Sequence, residues 1–491
     1  MKKLISTILV CVMLLGVLAS CNTIKTEGTT DLATSAPTEQ TTEEKTEVKT
    51  EDTSSQETSV ESTSEETSAE SGKETSEETS EETSTEEITT MEERFEIDGL
   101  DIKAEDLQDV MKDILHSGEM RNETVFLLDT DLGGEPKSLL FPVKEIVSIT
   151  NYAGTKALVE GVDYTLTDDG KIQFLSTSTF RAMKESKYYG TSDSTLITTK
   201  PDGTTSKTHW GEGTTMTSAQ VCVTYKYDAD WTGFAQKSNL ATYENVVKKL
   251  IAGEDVTFIF YGDSITCGAN SSWFTGIAPY QYSYSMLFTE AIADIFDYTV
   301  NYVNLSHLHG LIKKTPENYV AGDRGTINFL NPSVGGWKTS DGVNNFDTFV
   351  KPYIEQYGCD LLCVAFGMND GGTAVDAMVN STKQIIDKAS ALSSDLHVTI
   401  MSTMVPNNIA TNGWYGNQDK QEAELIKLAA TLTESGINTA VTQMTSMSLS
   451  VLEYKNFVDY TGNNINHPND FFGAIYAQTL FQSFIGYEYL T

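Results

Sequence analysis

The stretch Val256-Thr257-Phe258-Ile259-Phe260-Tyr261-Gly262-Asp263-Ser264-Ile265-Thr266 decides the fold. Its first six residues form an apolar run of strand length, rich in β-branched and aromatic side chains, as a strand covered on both faces requires. Gly262 ends the run, so the Ser264 hydroxyl stands at a strand-to-loop turn. Downstream the same grammar repeats. Ser283 to Phe296 reads as a helix, with Met286, Leu287, Ile292 and Ile295 on its apolar face, and Thr299 to Leu305 as a strand. Then come a strand from Asp360 to Phe366, a helix from Ala374 to Leu392, a strand from Val398 to Met401, and helices from Asp419 to Leu432 and about Phe471 to Phe484. Alternation of this kind gives an α/β fold, a parallel sheet between two helical layers. Active sites in such sheets lie at the carboxyl ends of the strands, which directs attention to the residues after Tyr261, after Phe366 and after the last strand.

At those three places stand Gly262-Asp263-Ser264, Gly367-Met368-Asn369-Asp370 and Asn464-Ile465-Asn466-His467-Pro468-Asn469. A serine, an asparagine and a histidine at one sheet edge are a nucleophile, an oxyanion donor and a base, the set that acyl transfer needs. With these motifs in this order, roughly 240 residues from Asp255 to the C-terminus resemble the SGNH hydrolase (GDSL esterase) family. The resemblance implies a flavodoxin-like three-layer fold and a serine esterase with Ser264 as nucleophile, Asn369 as oxyanion donor and His467 as base. The family's fourth element is a glycine whose backbone N–H also serves the oxyanion hole. It is best matched by Gly336 within Asn331-Pro332-Ser333-Val334-Gly335-Gly336-Trp337, with Gly335 as the alternative.

The chain departs from the family at one position. Where an aspartate usually precedes the histidine by three residues and supports the imidazolium, this chain has Asn464, which can accept a hydrogen bond but brings no charge. Three readings stay open: a Ser264–His467 dyad helped by Asn464 or a backbone carbonyl, a substitute acid such as Asp459 or Asp470, or an inactive site. Asp263 reads as a structural acceptor. Trp337 and Trp414 are the candidates for stacking on a sugar ring, the latter in a loop Trp414-Tyr415-Gly416-Asn417-Gln418 before a helix. His307 and His309 have no third metal ligand nearby in sequence, and no metal site is expected. Neither a nucleotide-binding loop nor a Gly-x-Ser-x-Gly elbow nor a His-Glu-x-x-His motif occurs, and no cofactor is implied.

Residues 94–240 lack long helical periodicity beyond Ala104 to His116. Short runs bounded by turn residues follow: Leu139 to Ile149, Leu158 to Leu166, Gly170 to Leu175, Thr195 to Thr199 and Gln220 to Tyr227. They predict a small β-sandwich preceding the α/β domain of residues 241–491. Cys222, Cys267, Cys359 and Cys363 are too scattered to staple a small fold. Cys359 and Cys363, four apart in a strand-like run, are expected on one face as small hydrophobes.

The formal net charge of −37 excludes a nucleic-acid partner, since no basic surface answers a polyphosphate. Half of that charge has a local source. Residues 22–93 contain 22 acidic, 4 basic and 31 Ser or Thr residues, a composition that cannot offset its ordering entropy and predicts a disordered tether over 21–93. Before it, Lys2-Lys3, an apolar run from Leu4 to Leu18 and Leu18-Ala19-Ser20-Cys21 read as a signal peptide over 1–20 whose end resembles the lipobox of bacterial lipoproteins. That resemblance implies lipidation of Cys21, a lipid anchor as the sole membrane contact, and a head outside the cytoplasmic membrane. Export and the tether fit a polymeric substrate. Family members of this layout imply a carbohydrate O-acetyl esterase; a lipolytic or aryl esterase and a noncatalytic glycan-binding protein are the alternatives.

Overall fold

A seven-stranded sheet carries the fold, with its centre at the stretch quoted above. Its strands are β8 (Val256–Gly262), β9 (Tyr298–Asn304), β10 (Tyr319–Val320), β11 (Gly325–Leu330), β12 (Leu361–Ala365), β13 (His397–Met401) and β14 (Thr439–Thr442). They lie in the order β10-β9-β11-β8-β12-β13-β14, all parallel except the short edge strand β10. The coordinates, a computed structural model, describe residues 97–306, 316–410 and 413–490. The expected signal, Cys21, the tether and the His307/His309 pair lie outside these.

Every residue of β8 is buried, and strand alternation divides the side chains between two cores. Phe258 and Phe260 face a layer made of α1 (Leu240–Ala252), α2 (Tyr284–Phe296) and α8 (Asp470–Phe484). Ile259 and Tyr261 face the opposite layer, made of α3 (Thr339–Phe349), α4 (Lys351–Tyr357), α5 (Val375–Ser390) and α6 (Gln418–Glu434). A shorter helix, α7 (Met444–Leu452), follows β14. The expected three-layer architecture is therefore present, with strand and helix limits shifted by one or two residues. β10, β11, β14, α1, α3, α4 and α7 went unrecognised in the sequence; for β11 and α3, Gly325-Thr326-Ile327-Asn328 and Thr339-Ser340-Asp341-Gly342 carry weak apolar signals.

Residues 97–239 differ from expectation. In place of a β-sandwich there is one three-stranded antiparallel sheet, ordered β1 (Glu119–Phe126), β7 (Gln220–Lys226), β2 (Glu145–Asn151). Two hairpins accompany it, β3 (Tyr164–Leu166) with β4 (Ile172–Phe174) and β5 (Ile197–Thr199) with β6 (Thr205–Lys207). The sheet needs no second sheet, because Val125, Val221, Val223 and Tyr225 share one continuous core with Phe471 and Ile475 of α8. Polar ties seal the junction: Asn469 Nδ2 donates to Thr124 Oγ1 at 2.9 Å and Gln220 Oε1 at 3.0 Å, and Asp459 Oδ1 accepts from Phe126 N at 2.8 Å. The helix expected over 104–116 is two isolated 3-10 turns, Ala104–Asp106 and Asp109–Met111. Asp113 Oδ1 takes the backbone N–H groups of Leu115 and His116, a local alternative to the helical ladder.

Among the described residues the four cysteines are buried and unpaired. Cys359 and Cys363 do not share a face: Cys359 precedes β12 and joins the α3–α6 core, whereas Cys363 faces the other. No helix among the described residues is long and apolar enough to cross a membrane.

Candidate active site

Ser264 sits two residues beyond β8. The turn that carries it depends on Gly262, where a Cβ would come within 2.4 Å of Ala365 O on β12 and closer still to Thr266 Oγ1. Only glycine lets the neighbouring strand approach so closely. Asp263 is buried and accepts from Ile265 N at 3.0 Å; burial pushes its carboxyl up to about 7. It holds the turn, as expected of a structural acceptor.

His467 lies in the loop before α8, whose N-cap is Asn469, and its Nε2 is 2.9 Å from Ser264 Oγ. Around Nδ1 stand two acceptors, Asn270 Oδ1 at 2.8 Å and Glu212 Oε2 at 3.2 Å, and the Asn463 amide nitrogen at 3.1 Å, whose two N–H groups have acceptors of their own in Glu212 Oε1 and Asn466 Oδ1. With acceptors there, the network assigns the ring proton to Nδ1 and leaves the Nε2 lone pair for the serine proton. Asn270 is fully buried, and its Nδ2 donates to the carbonyls of Gly213 and Gly462, both at 3.3 Å, which turns Oδ1 toward the ring. The His467 pKa is set by competition. Burial lowers it, but the charge and hydrogen bond of Glu212, together with the charge of Asp263, outweigh burial and leave it above the ordinary imidazole value.

Asn464 does not take part in this contact. Its Nδ2 donates to His209 O at 2.9 Å and to Tyr188 Oη at 3.4 Å, while its Oδ1 accepts from Asn407 Nδ2 at 3.1 Å. Nor do the two aspartates considered as substitutes. Asp459 receives backbone N–H groups of Phe126 and Asn456, and Asp470 receives that of Ser272 at 2.7 Å. The loop is organised instead by Asn463, whose Oδ1 accepts the N–H groups of Ile465, Asn466 and His467 at 2.9, 3.0 and 3.1 Å. Glu212, Asn270 and Asn463 were not legible as site residues. Glu212 lies 255 positions from His467, and Asn270 and Asn463 read as ordinary loop asparagines.

The proposed oxyanion donors belong to loops at the same sheet edge. Asn369 follows β12, and its amide is oriented from both ends: Trp414 Nε1 donates to Oδ1 at 3.2 Å, and Nδ2 donates to Trp337 O at 2.9 Å. The second N–H of that amide is the one an oxyanion would receive. Gly336 follows β11 on a loop tied to the serine strand, since Val334 N donates to Gly262 O at 3.1 Å and Asn331 Nδ2 to Thr266 O at 2.8 Å. Its φ of +81° requires glycine, and no atom stands within 4 Å of where a Cβ would be. Gly335, the alternative, stands beside it on the same loop. The Trp337 ring packs edge-on against Phe349 and Tyr261 and is part-buried against the α3 core. Among the described residues no cluster of His, Cys, Asp and Glu has metal-binding geometry.

No family model and no curated protein matches the chain. Among solved structures it is similar to a two-domain esterase active on acetylated mannans, at 17% identity and a TM-score of 0.34, covering 50% of this chain and 54% of that one. The chain thus spans about half the length of that enzyme. It is similar also to an acetyl-xylooligosaccharide esterase from Geobacillus (14% identity, 48% and 96% covered, TM-score 0.33) and to a lipase/acylhydrolase from Enterococcus faecalis (14% identity, 46% and 94% covered, TM-score 0.30). The strand order, with Ser264 after the central strand, Asn369 after its neighbour and His467 before the last helix, is the three-layer α/β arrangement that the motifs imply.

Proposed function

We propose that the protein is a serine esterase that removes O-acetyl groups from a carbohydrate polymer outside the cell. The observation that carries the esterase reading is the 2.9 Å contact between Ser264 Oγ and His467 Nε2, with two acceptors holding the far side of the ring. Ser264 Oγ attacks the ester carbonyl while His467 Nε2 takes its proton. The tetrahedral oxyanion receives N–H groups from Asn369, Gly336 and the Ser264 backbone, and His467 returns the proton to the leaving alcohol. Water, deprotonated by the same histidine, then releases the acid and restores Ser264. The polymer substrate is supported by the signal, the lipobox ending at Cys21 and the long acidic tether, which suit an enzyme working at the cell surface. The acetyl group and the sugar backbone come from the family resemblance.

The test is hydrolysis of p-nitrophenyl acetate and of acetylated xylan and mannan by wild type and Ser264→Ala. Acetate release that vanishes in the variant is the expected result. Preference for long acyl chains would favour a lipolytic enzyme, and absence of any Ser264-dependent hydrolysis would leave a glycan-binding surface protein.

A further inference from the structure

The segment His209-Trp210-Gly211-Glu212-Gly213 lies far from every motif of the hydrolase fold in sequence, yet it crosses the active site. Four hydrogen bonds lace it to the catalytic loops. Glu212 Oε1 accepts from Asn463 Nδ2 at 3.0 Å, and Gly211 N donates to Asn463 O at 3.2 Å. Gly213 O accepts from Asn270 Nδ2 at 3.3 Å, and His209 O from Asn464 Nδ2 at 2.9 Å. Its Trp210 packs against a small cluster of Leu196, Ala410 and Ile465, against which Trp414 also packs, and Trp414 is the residue that orients the Asn369 amide. The strap thus touches the histidine loop directly and borders the Asn369 side through that shared cluster.

We infer that Glu212, delivered by this strap, is the acidic member of the catalytic triad, replacing the carboxylate that the hydrolase motif lacks at Asn464. The inference rests on the esterase reading above. Three observations carry it. Glu212 is the one carboxylate hydrogen-bonded to the His467 ring among the described residues, at 3.2 Å. Its second oxygen is fixed by Asn463, the residue that also shapes the histidine loop. The position three residues before the histidine, where the charge is expected, is committed to holding the strap in place. Asn270 orients the imidazole, and Glu212 adds the charge that favours the imidazolium formed when Ser264 gives up its proton. The other charged group facing the ring is Asp263, beneath the serine turn. The region before the α/β fold is therefore part of the catalytic apparatus, and its role is not limited to binding. Because 57% of the Glu212 side chain is exposed, solvent screens its charge, and its removal is expected to cost less than loss of a buried triad aspartate.

Glu212→Gln tests the assignment, because it keeps the shape and an acceptor oxygen while removing the charge. The kcat for p-nitrophenyl acetate is expected to fall about 10- to 100-fold with KM nearly unchanged. The acid limb of the wild-type rate profile should lie above pH 6.5, since His467 must be neutral to act and its pKa is raised; in the variant the limb moves to lower pH. An unchanged thermal midpoint separates this from a folding defect. In parallel, NMR titration of His467 in a Ser264→Ala background, with and without Glu212→Gln, reads the pairing without any turnover. Wild-type kcat and an unmoved acid limb in Glu212→Gln would overturn the inference while leaving the esterase reading intact. If the native protein hydrolyses nothing, the esterase reading falls, and an unshifted His467 titration would remove the pairing as well.

Discussion

Asn464 shows how a single residue can occupy an expected catalytic position and serve another purpose. Its φ is +64°, a left-handed conformation that asparagine and aspartate tolerate better than most residues. From there its amide donates to His209 O. Asn464→Asp places a carboxylate at this position but turns that donor into an acceptor facing a carbonyl. We expect kcat no higher than wild type and a loss of about 1–3 kcal/mol in stability, the cost of an unmatched buried polar group. Kinetics and a thermal melt of the variant check both parts, and a large rise in rate would show that residue 464 can reach the imidazole. Ser264 and His467 were legible because each stands next to an unmistakable element, a strand-length apolar run and a long apolar helix. Glu212 was not, because nothing in His209-Trp210-Gly211-Glu212-Gly213 distinguishes a catalytic carboxylate from a surface one.

At the scale of elements, the edge of the sheet is kept in register by side chains that bridge loops. Asp370, next to Asn369, accepts both the backbone N–H and the hydroxyl of Thr339 at 2.9 Å, which helps cap α3 from outside its own sequence. It ties the loop after β12 to the helix that follows the Gly336 loop. Asp370→Ala leaves the first turn of α3 with a buried unpaired donor and should destabilise the protein by about 1–2 kcal/mol. A lowered urea midpoint together with a reduced kcat is the expected pair of readouts, since the Gly336 and Asn369 loops then lose a shared anchor. The central strand and the long helices could be read from hydrophobic run length alone. α3 could not, because Thr339-Ser340-Asp341-Gly342 carries a weak apolar signal and part of its capping comes from Asp370, about thirty positions later in the chain.

Across the whole described molecule, one core joins the three-stranded sheet to the α/β layers, and a buried ion pair marks the seam. Lys455 Nζ is 2.6 Å from Glu123 Oε1, with both side chains out of solvent, and Glu123 also accepts from Tyr225 Oη at 2.7 Å and Leu140 N at 3.0 Å. Removing one partner strands the other charge, so Lys455→Met should cost about 3–5 kcal/mol. Chemical denaturation measures it, and cooperative loss of the β sheet and the α/β fold in one transition would show that the two regions unfold together. The sequence by itself determined the α/β class and the sheet edge at which Ser264, Asn369 and His467 stand, because strand and helix periods are local and the motifs lie at their ends. Tertiary structure decided that the preceding region is one sheet on a shared core and that the histidine's carboxylate comes from Glu212. Contacts between residues more than 250 positions apart leave no periodic signal, and they exist only once the core has brought the two segments together.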